Sequence, residues 1–181
     1  MVRHDPDVLM VGEIRDEESA DIAVRAAMTG HLVFTTLHTS DALGAIPRLL
    51  DLKVAGYLVA ASVECVLAQR LVRKTCPECR TRYKPDPQAV ALLADKPVGN
   101  ITLERGMGCT ACRQTGYRGR TGIFELLLFD EDLKQAVTRG ADRATLRALG
   151  TVARMRTLKQ DGWARVQAGI TTVEEVLRVV Q

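Results

Sequence analysis

Four cysteines stand in two pairs, Cys76-Pro77-Glu78-Cys79 and Cys109-Thr110-Ala111-Cys112, with 29 residues between the pairs. A CxxC turn presents two thiolates to one side of a metal ion, and a second such turn completes the tetrahedron that zinc favours. With sulfur at all four positions the ion would be structural and closed to substrate. The competing readings are two redox motifs or a pair of disulfides. The opening residues MVRHDPDVLM lack the basic, apolar and small-residue pattern of a secretory signal, and reduced compartments rarely keep structural disulfides. The fifth cysteine, Cys65, sits among Val63, Val66 and Leu67 and reads as a small buried hydrophobe on a helix.

A second candidate centre follows the first apolar run. Val8-Leu9-Met10-Val11 opens through Gly12 onto Glu13, Ile14, Arg15 and Asp16. In nucleotide-hydrolysing α/β proteins an acid at the C-terminal end of such a strand serves Mg²⁺ or orients the attacking water. Taken alone, an acid there is more often a solvated loop residue. His38 ends a second apolar run beside Thr39-Ser40-Asp41, where an imidazole could meet a phosphate. A lone histidine is more often structural, and His31 and His4 make weaker cases. The phosphate loop GxxxxGK[ST] is absent, since no glycine of this chain is followed by lysine.

The elements that must position these residues alternate in the first third. Val8 to Val11 suits a strand buried on both faces, and Glu17 to Met28 has helical spacing closed by Gly30. Leu32 to Leu37 is a second strand. Helices follow over Ala42 to Leu52 and from about Tyr57 to Arg70. That rhythm is α/β with a parallel sheet. From Cys76 to Gly122 the chain is rich in proline and glycine, with one short helix at Gln88 to Ala94, and needs a staple to fold. The last third is helical over Glu131 to Thr138, Arg143 to Arg154 and Thr172 to Val180. Thr172 and Glu175 form a capping-box pattern there.

Composition limits the choices. The chain has 181 residues, 46% hydrophobic and 26% charged, which excludes wholesale disorder. No apolar run is long enough to span a membrane; Val54 to Val63 stops at Glu64. A net charge of +3 does not by itself argue for nucleic acid.

Longer stretches carry a resemblance. VRHDPDVLMVGEIRD (2–16) resembles the Walker B signature of the bacterial secretion and type IV pilus-assembly ATPases. GHLVFTTLHTSDALGAIPRL (30–49) looks like the His box of that family. LAQRLVRKTCPEC (67–79) and GCTACRQTGYRGRTGIFELL (108–127) look like its arginine segment and tetracysteine motif, and AGITTVEEVLRVV (168–180) like its C-terminal helix. The wording of residues 108–127 is most similar to the type II secretion E component.

This resemblance implies an incomplete RecA-like parallel-sheet layer over residues 1–75. A tetracysteine zinc subdomain would occupy 76–122 and a helical region 123–181. It implies a hexameric, Mg²⁺-dependent ATPase, peripheral on the cytoplasmic face of the inner membrane. There it would work on an assembly platform and its cytoplasmic adaptor to drive pseudopilus subunits and protein secretion. Glu13 would orient the hydrolytic water and His38 would contact or sense the γ-phosphate. Arg15 and Asp16 would fix the loop by ion pairing. Arg70 and Arg73 would touch nucleotide or a neighbouring subunit, and Cys76, Cys79, Cys109 and Cys112 would hold zinc. The Walker A loop and acidic box of that family precede residue 2, so the 181-residue chain alone is expected to be inactive. The alternatives are a pilus-assembly or DNA-uptake motor and, in another class, a zinc-ribbon nucleic-acid module using the basic run Arg113 to Arg120. That run reads first as a solvated loop.

Overall fold

A computed structural model describes residues 6–94, 96–152 and 155–180. The chain divides into two compact units. One comprises Met1–Leu67 with Leu126–Met155, the other Ala68–Glu125 with Arg156–Gln181.

In the first unit, strand β1 (Val8–Val11) pairs in parallel with β2 (Leu32–Thr35), with Val8 beside Leu32 and Met10 beside Phe34. Parallel pairing needs a crossover, and helix α1 (Glu17–Met28) supplies it. Asp16 caps α1, accepting from the Ser19 amide at 2.9 Å, while the Asp16 amide donates to Ser19 Oγ at 3.3 Å. Asp16 therefore fixes the loop by capping the helix and not by the expected ion pair. At the other end Gly30, with φ +96, takes the left-handed turn that stops the helix. Ala20, Ala23 and Val24 bury one face of α1. The expectation that β1 is buried on both faces fails. Val8, Met10, Leu32 and Phe34 are exposed together, because the parallel register sets Val8 beside Leu32 and Met10 beside Phe34 on one face of the pair.

The remaining helices of this unit are α2 (Ala45–Asp51), α3 (Gly56–Ser62), α5 (Glu131–Thr138) and α6 (Arg143–Val152). Helix α3 packs on α5 closely enough that Gly56 faces the Val137 carbonyl, where a Cβ would come within 2.8 Å. Ile46, Val59, Leu127 and Leu133 are fully buried here.

The helix expected over Tyr57 to Arg70 stops at Ser62, whose hydroxyl folds back onto the Leu58 carbonyl at 2.7 Å. From there the chain is extended as β3 (Cys65–Thr75), which pairs with β6 (Tyr117–Leu128). The outward residues Leu67 and Leu71 are apolar and four apart, which imitates helical spacing, while burial alternates with Ala68 and Val72 inside. Cys65 consequently lies on a strand and is exposed, not buried on a helix.

In the second unit β4 (Arg80–Tyr83) pairs antiparallel with β5 (Leu103–Gly106), with Tyr83 beside Leu103. Helix α4 (Pro87–Ala94) joins these strands and packs on α7 (Leu158–Gln167) and α8 (Val173–Val179). Val90, Leu93, Val166, Val173 and Val176 form the core. Among the described residues no helix is long and apolar enough to cross a membrane.

Candidate functional site

The ends of β1 and β2 bring Glu13, Arg15 and His38 together. Parallel register places both strand ends on one edge, so residues 25 apart in sequence meet there. His38 Nε2 lies 2.9 Å from Glu13 Oε2, and Arg15 pairs with the other carboxylate oxygen. The strand ends are stitched to each other. The Ile14 amide donates to the Thr36 carbonyl at 3.0 Å, and the Thr36 hydroxyl to the Gly12 carbonyl at 2.7 Å. Arg15's hydrogen bond is the largest influence holding the Glu13 carboxyl below its usual range; partial burial opposes it and His38 adds to it. Such a group stays ionised and is a weak base. It is fitted to orient a water by accepting from it more than to remove its proton. His38 is 86% exposed and turned to solvent.

His31 serves the fold. Its Nδ1 lies 3.0 Å from the Ala26 carbonyl and 3.0 Å from Thr29 Oγ1, at the end of α1.

Arg70, Arg73 and the cysteines belong to the other unit. Arg70 Nη1 donates to the Gln69 carbonyl at 2.9 Å. Arg73 is held by Glu175, whose Oε2 accepts from Nη2 at 2.7 Å and Nε at 3.0 Å. The Arg73 backbone amide donates to Glu175 Oε1 at 2.9 Å, and its guanidinium lies 4.2 Å from the Tyr117 ring centre. Arg178 Nη2 reaches Glu175 Oε1 at 2.7 Å. The Glu175 side chain is fully buried. Burial opposes its ionisation, but the hydrogen bonds of Arg178 and Arg73 outweigh that and draw its pKa down to about 2. The Thr172 hydroxyl caps α8 by accepting from the Glu175 amide at 3.3 Å, and Tyr117 Oη lies 2.8 Å from the same oxygen. Sequence reading assigned Glu175 to a capping box, so its service to two arginines went unseen. The only signal was an acid in an otherwise apolar helix face.

The four cysteines converge, with every ligand sulfur within 4.8 Å of the others. Cys76 Sγ is 3.9 Å from Cys109 Sγ, Cys79 is 3.8 Å from Cys112, and Cys109 is 3.7 Å from Cys112. A tetrahedron of thiolates about 2.3 Å from zinc has edges of about 3.8 Å, so the set fits that ion. Disulfide bonding needs sulfurs about 2.05 Å apart, and all four cysteines are free.

Amides point at the sulfurs. Cys109 N–H lies 3.1 Å and Gly116 N–H 3.3 Å from Cys112 Sγ, and Gly108 N–H is 3.3 Å from Cys79 Sγ. At Cys112 burial works against the thiolate, yet the Cys109 and Gly116 amides outweigh it and bring the pKa to about 6. At Cys79 burial prevails and raises it to about 11. The second knuckle is a 3-10 turn, Thr110–Cys112, followed by two residues in the left-handed region, Arg113 and Gln114.

The knuckles meet across two glycines. A methyl group at Gly106 would overlap the Gly116 carbonyl, and one at Gly116 would overlap the Gly106 carbonyl. The Gly116 carbonyl itself accepts from the Cys76 amide at 2.9 Å.

The family described as "Type II/IV secretion system protein" matches residues 1–178. The chain is 48% identical to the type II secretion system protein E of Pseudomonas aeruginosa, over all of this chain and 36% of that protein. It is 45% identical to the type II secretion system ATPase E of Vibrio cholerae serotype O1, over 100% of this chain and 36% of the relative. Identity to the type IV pilus assembly ATPase PilB of Thermus thermophilus is 44%, over 97% of this chain and 20% of that protein. The chain thus spans about a third or less of these curated relatives. Among solved structures, the pilus retraction motor PilT with bound ADP superposes with a TM-score of 0.66 at 25% identity. That match covers 98% of this chain and 40% of PilT. The Legionella pneumophila ATPase DotB, at 21% identity and a TM-score of 0.65 over 99% of this chain and 40% of its own, shares the fold. With the family match running nearly end to end, the chain belongs to the type II/IV secretion system proteins.

Proposed function

We propose that this chain is the C-terminal part of a hexameric, Mg²⁺-dependent ATPase that powers type II protein secretion by driving pseudopilus assembly. The observation that carries this reading is the Glu13–His38 contact at the joined ends of two parallel strands. Glu13, held ionised by Arg15, would orient the attacking water from a rigid strand end. His38 would meet the γ-phosphate or pass its loss to a neighbouring subunit. Mg²⁺, when bound, neutralises phosphate charge; the described residues do not by themselves make up its site. Arg70 and Arg73 are proposed to reach nucleotide or a neighbouring subunit, and Arg73 would have to give up Glu175 to do so.

Cys76, Cys79, Cys109 and Cys112 would hold zinc as a structural staple for a platform-contacting surface. The working place would be the cytoplasmic face of the inner membrane. The layer carrying β1 and β2 is proposed to be RecA-like, the tetracysteine part (76–122) and the helical tail (123–181) being added to it. The similarity to PilB supports a pilus-assembly motor as the alternative, and a DNA-uptake motor stands beside it on the sequence resemblance alone. A nucleic-acid module has less support, because Arg118 of the basic run is paired with Glu78 at 2.8 Å.

The test is hydrolysis by the longer protein that contains this chain. Glu13→Gln should lower kcat by about 100-fold or more with nucleotide binding retained. Turnover within a few-fold of the parent would overturn the assignment.

A further inference from the structure

The loop 36–44 carries His38 and is anchored on either side of it. The first anchor is the Thr36 stitch to Gly12 and Ile14. The second is Asp41, whose Oδ1 accepts from the Gly44 amide at 2.7 Å while its backbone carbonyl accepts from the Thr39 hydroxyl at 3.0 Å. These bonds shape the turn locally but do not fix where it sits on the rest of the unit. Asp41 Oδ2 is spent elsewhere: it accepts from Arg143 Nη2 at 2.7 Å, with Arg147 Nη2 at 3.7 Å. Arg143 is the first residue of α6, and a cation there opposes the helix dipole. Asp142 already supplies the cap to the Thr145 amide at 2.8 Å. The helix therefore carries its arginine against local preference, and the residue that arginine meets is three positions from His38. His38 is largely exposed, so what sets its ring against Glu13 is the course of the loop together with the 2.9 Å contact itself.

We propose that the Asp41–Arg143 ion pair is a positioning device that sets His38 against Glu13, making α6 part of the hydrolytic machinery. This rests on the reading of Glu13 and His38 as the hydrolytic pair. A half-exposed ion pair adds little to global stability, so breaking it should leave the chain folded and move the loop. Arg143→Met keeps the stem and the Asp41 turn while removing the charge.

The test is carried out on the 181-residue chain with ¹³C-labelled histidine rings. In the parent, Glu13→Gln should displace the His38 ring resonances. In Arg143→Met the His38 resonances should already be displaced, and the further response to Glu13→Gln should fall below half of the parent's. Arg143→Lys should recover most of it. A full Glu13 response in Arg143→Met, with unfolding unchanged, would show a surface pair that positions nothing and would overturn the proposal. Absence of any Glu13 response in the parent would overturn it as well. Loss of hydrolytic role with the His38 response intact, found in the longer protein, would instead remove only the reading on which it rests.

Discussion

Replacing Glu175 by glutamine probes the brace that ties α8 to β3. The side chain is fully buried, yet its two partners, Arg73 and Arg178, are about half exposed. Its pKa in the folded chain is about 2 against 4.5 for the free group, a displacement equivalent to about 3 kcal/mol favouring the charged folded form. Breaking a buried pair costs about 3–5 kcal/mol, and solvation of the exposed arginines puts this case near the lower end. Both routes give about 3 kcal/mol. The sign follows from a depressed carboxylate. Its contribution is complete above about pH 4.5 and disappears as pH falls toward 2. Denaturant unfolding of parent and Glu175→Gln, compared at each pH, removes acid effects common to both, including any release of metal. The gap should be about 3 kcal/mol at pH 7 and should narrow only below pH 4.5. A gap under 1 kcal/mol at pH 7, or one that does not change between pH 4.5 and 3, would refute the reasoning.

Two further outcomes are expected. Purified chain should carry about one zinc ion, and Cys109→Ser should lose it with hydrogen exchange rising across residues 68–125 while α1 keeps its protection; metal-free parent chain with its thiols oxidised would contradict this. Gly106→Ala should cost about 1–3 kcal/mol and weaken zinc against a chelator, because the new methyl meets backbone. Gly99→Ala, which has open space, is the control and should be near neutral.

What the sequence discloses depends on range. Helix α1 and the glycine that ends it are local, and so are α4 and α5; their residues announce them, whereas Asp16, expected in an ion pair, turns out to cap α1. The four cysteines are legible for a different reason, since thiolate pairs at this spacing have few other uses. Strand β3 was hidden because Leu67 and Leu71 face outward and its partner β6 lies about fifty residues away, so no local signal marks the pairing. Glu175 was legible as a polar residue but not as a counter-ion, because Arg73 lies 102 residues from it. Asp41 likewise has no local signal for its partner, because Arg143 stands 102 residues downstream. At the Glu13–His38 site the residue types were legible in the chain, and the geometry came from the parallel register.

The crossing of Gly106 and Gly116 has an inheritance of its own. Each position is blocked by the other's main chain, so a change at one has no remedy in a smaller residue at the other; the smallest residue is already there. Ordinary core contacts drift by paired exchange of large for small, but this contact has nothing left to trade. Second-site suppressors of Gly106→Ala should therefore arise in the lengths or turns of the segments flanking the cysteines and not at Gly116. The separation of the two knuckles would thus be set by backbone thickness, a dimension that substitution cannot adjust.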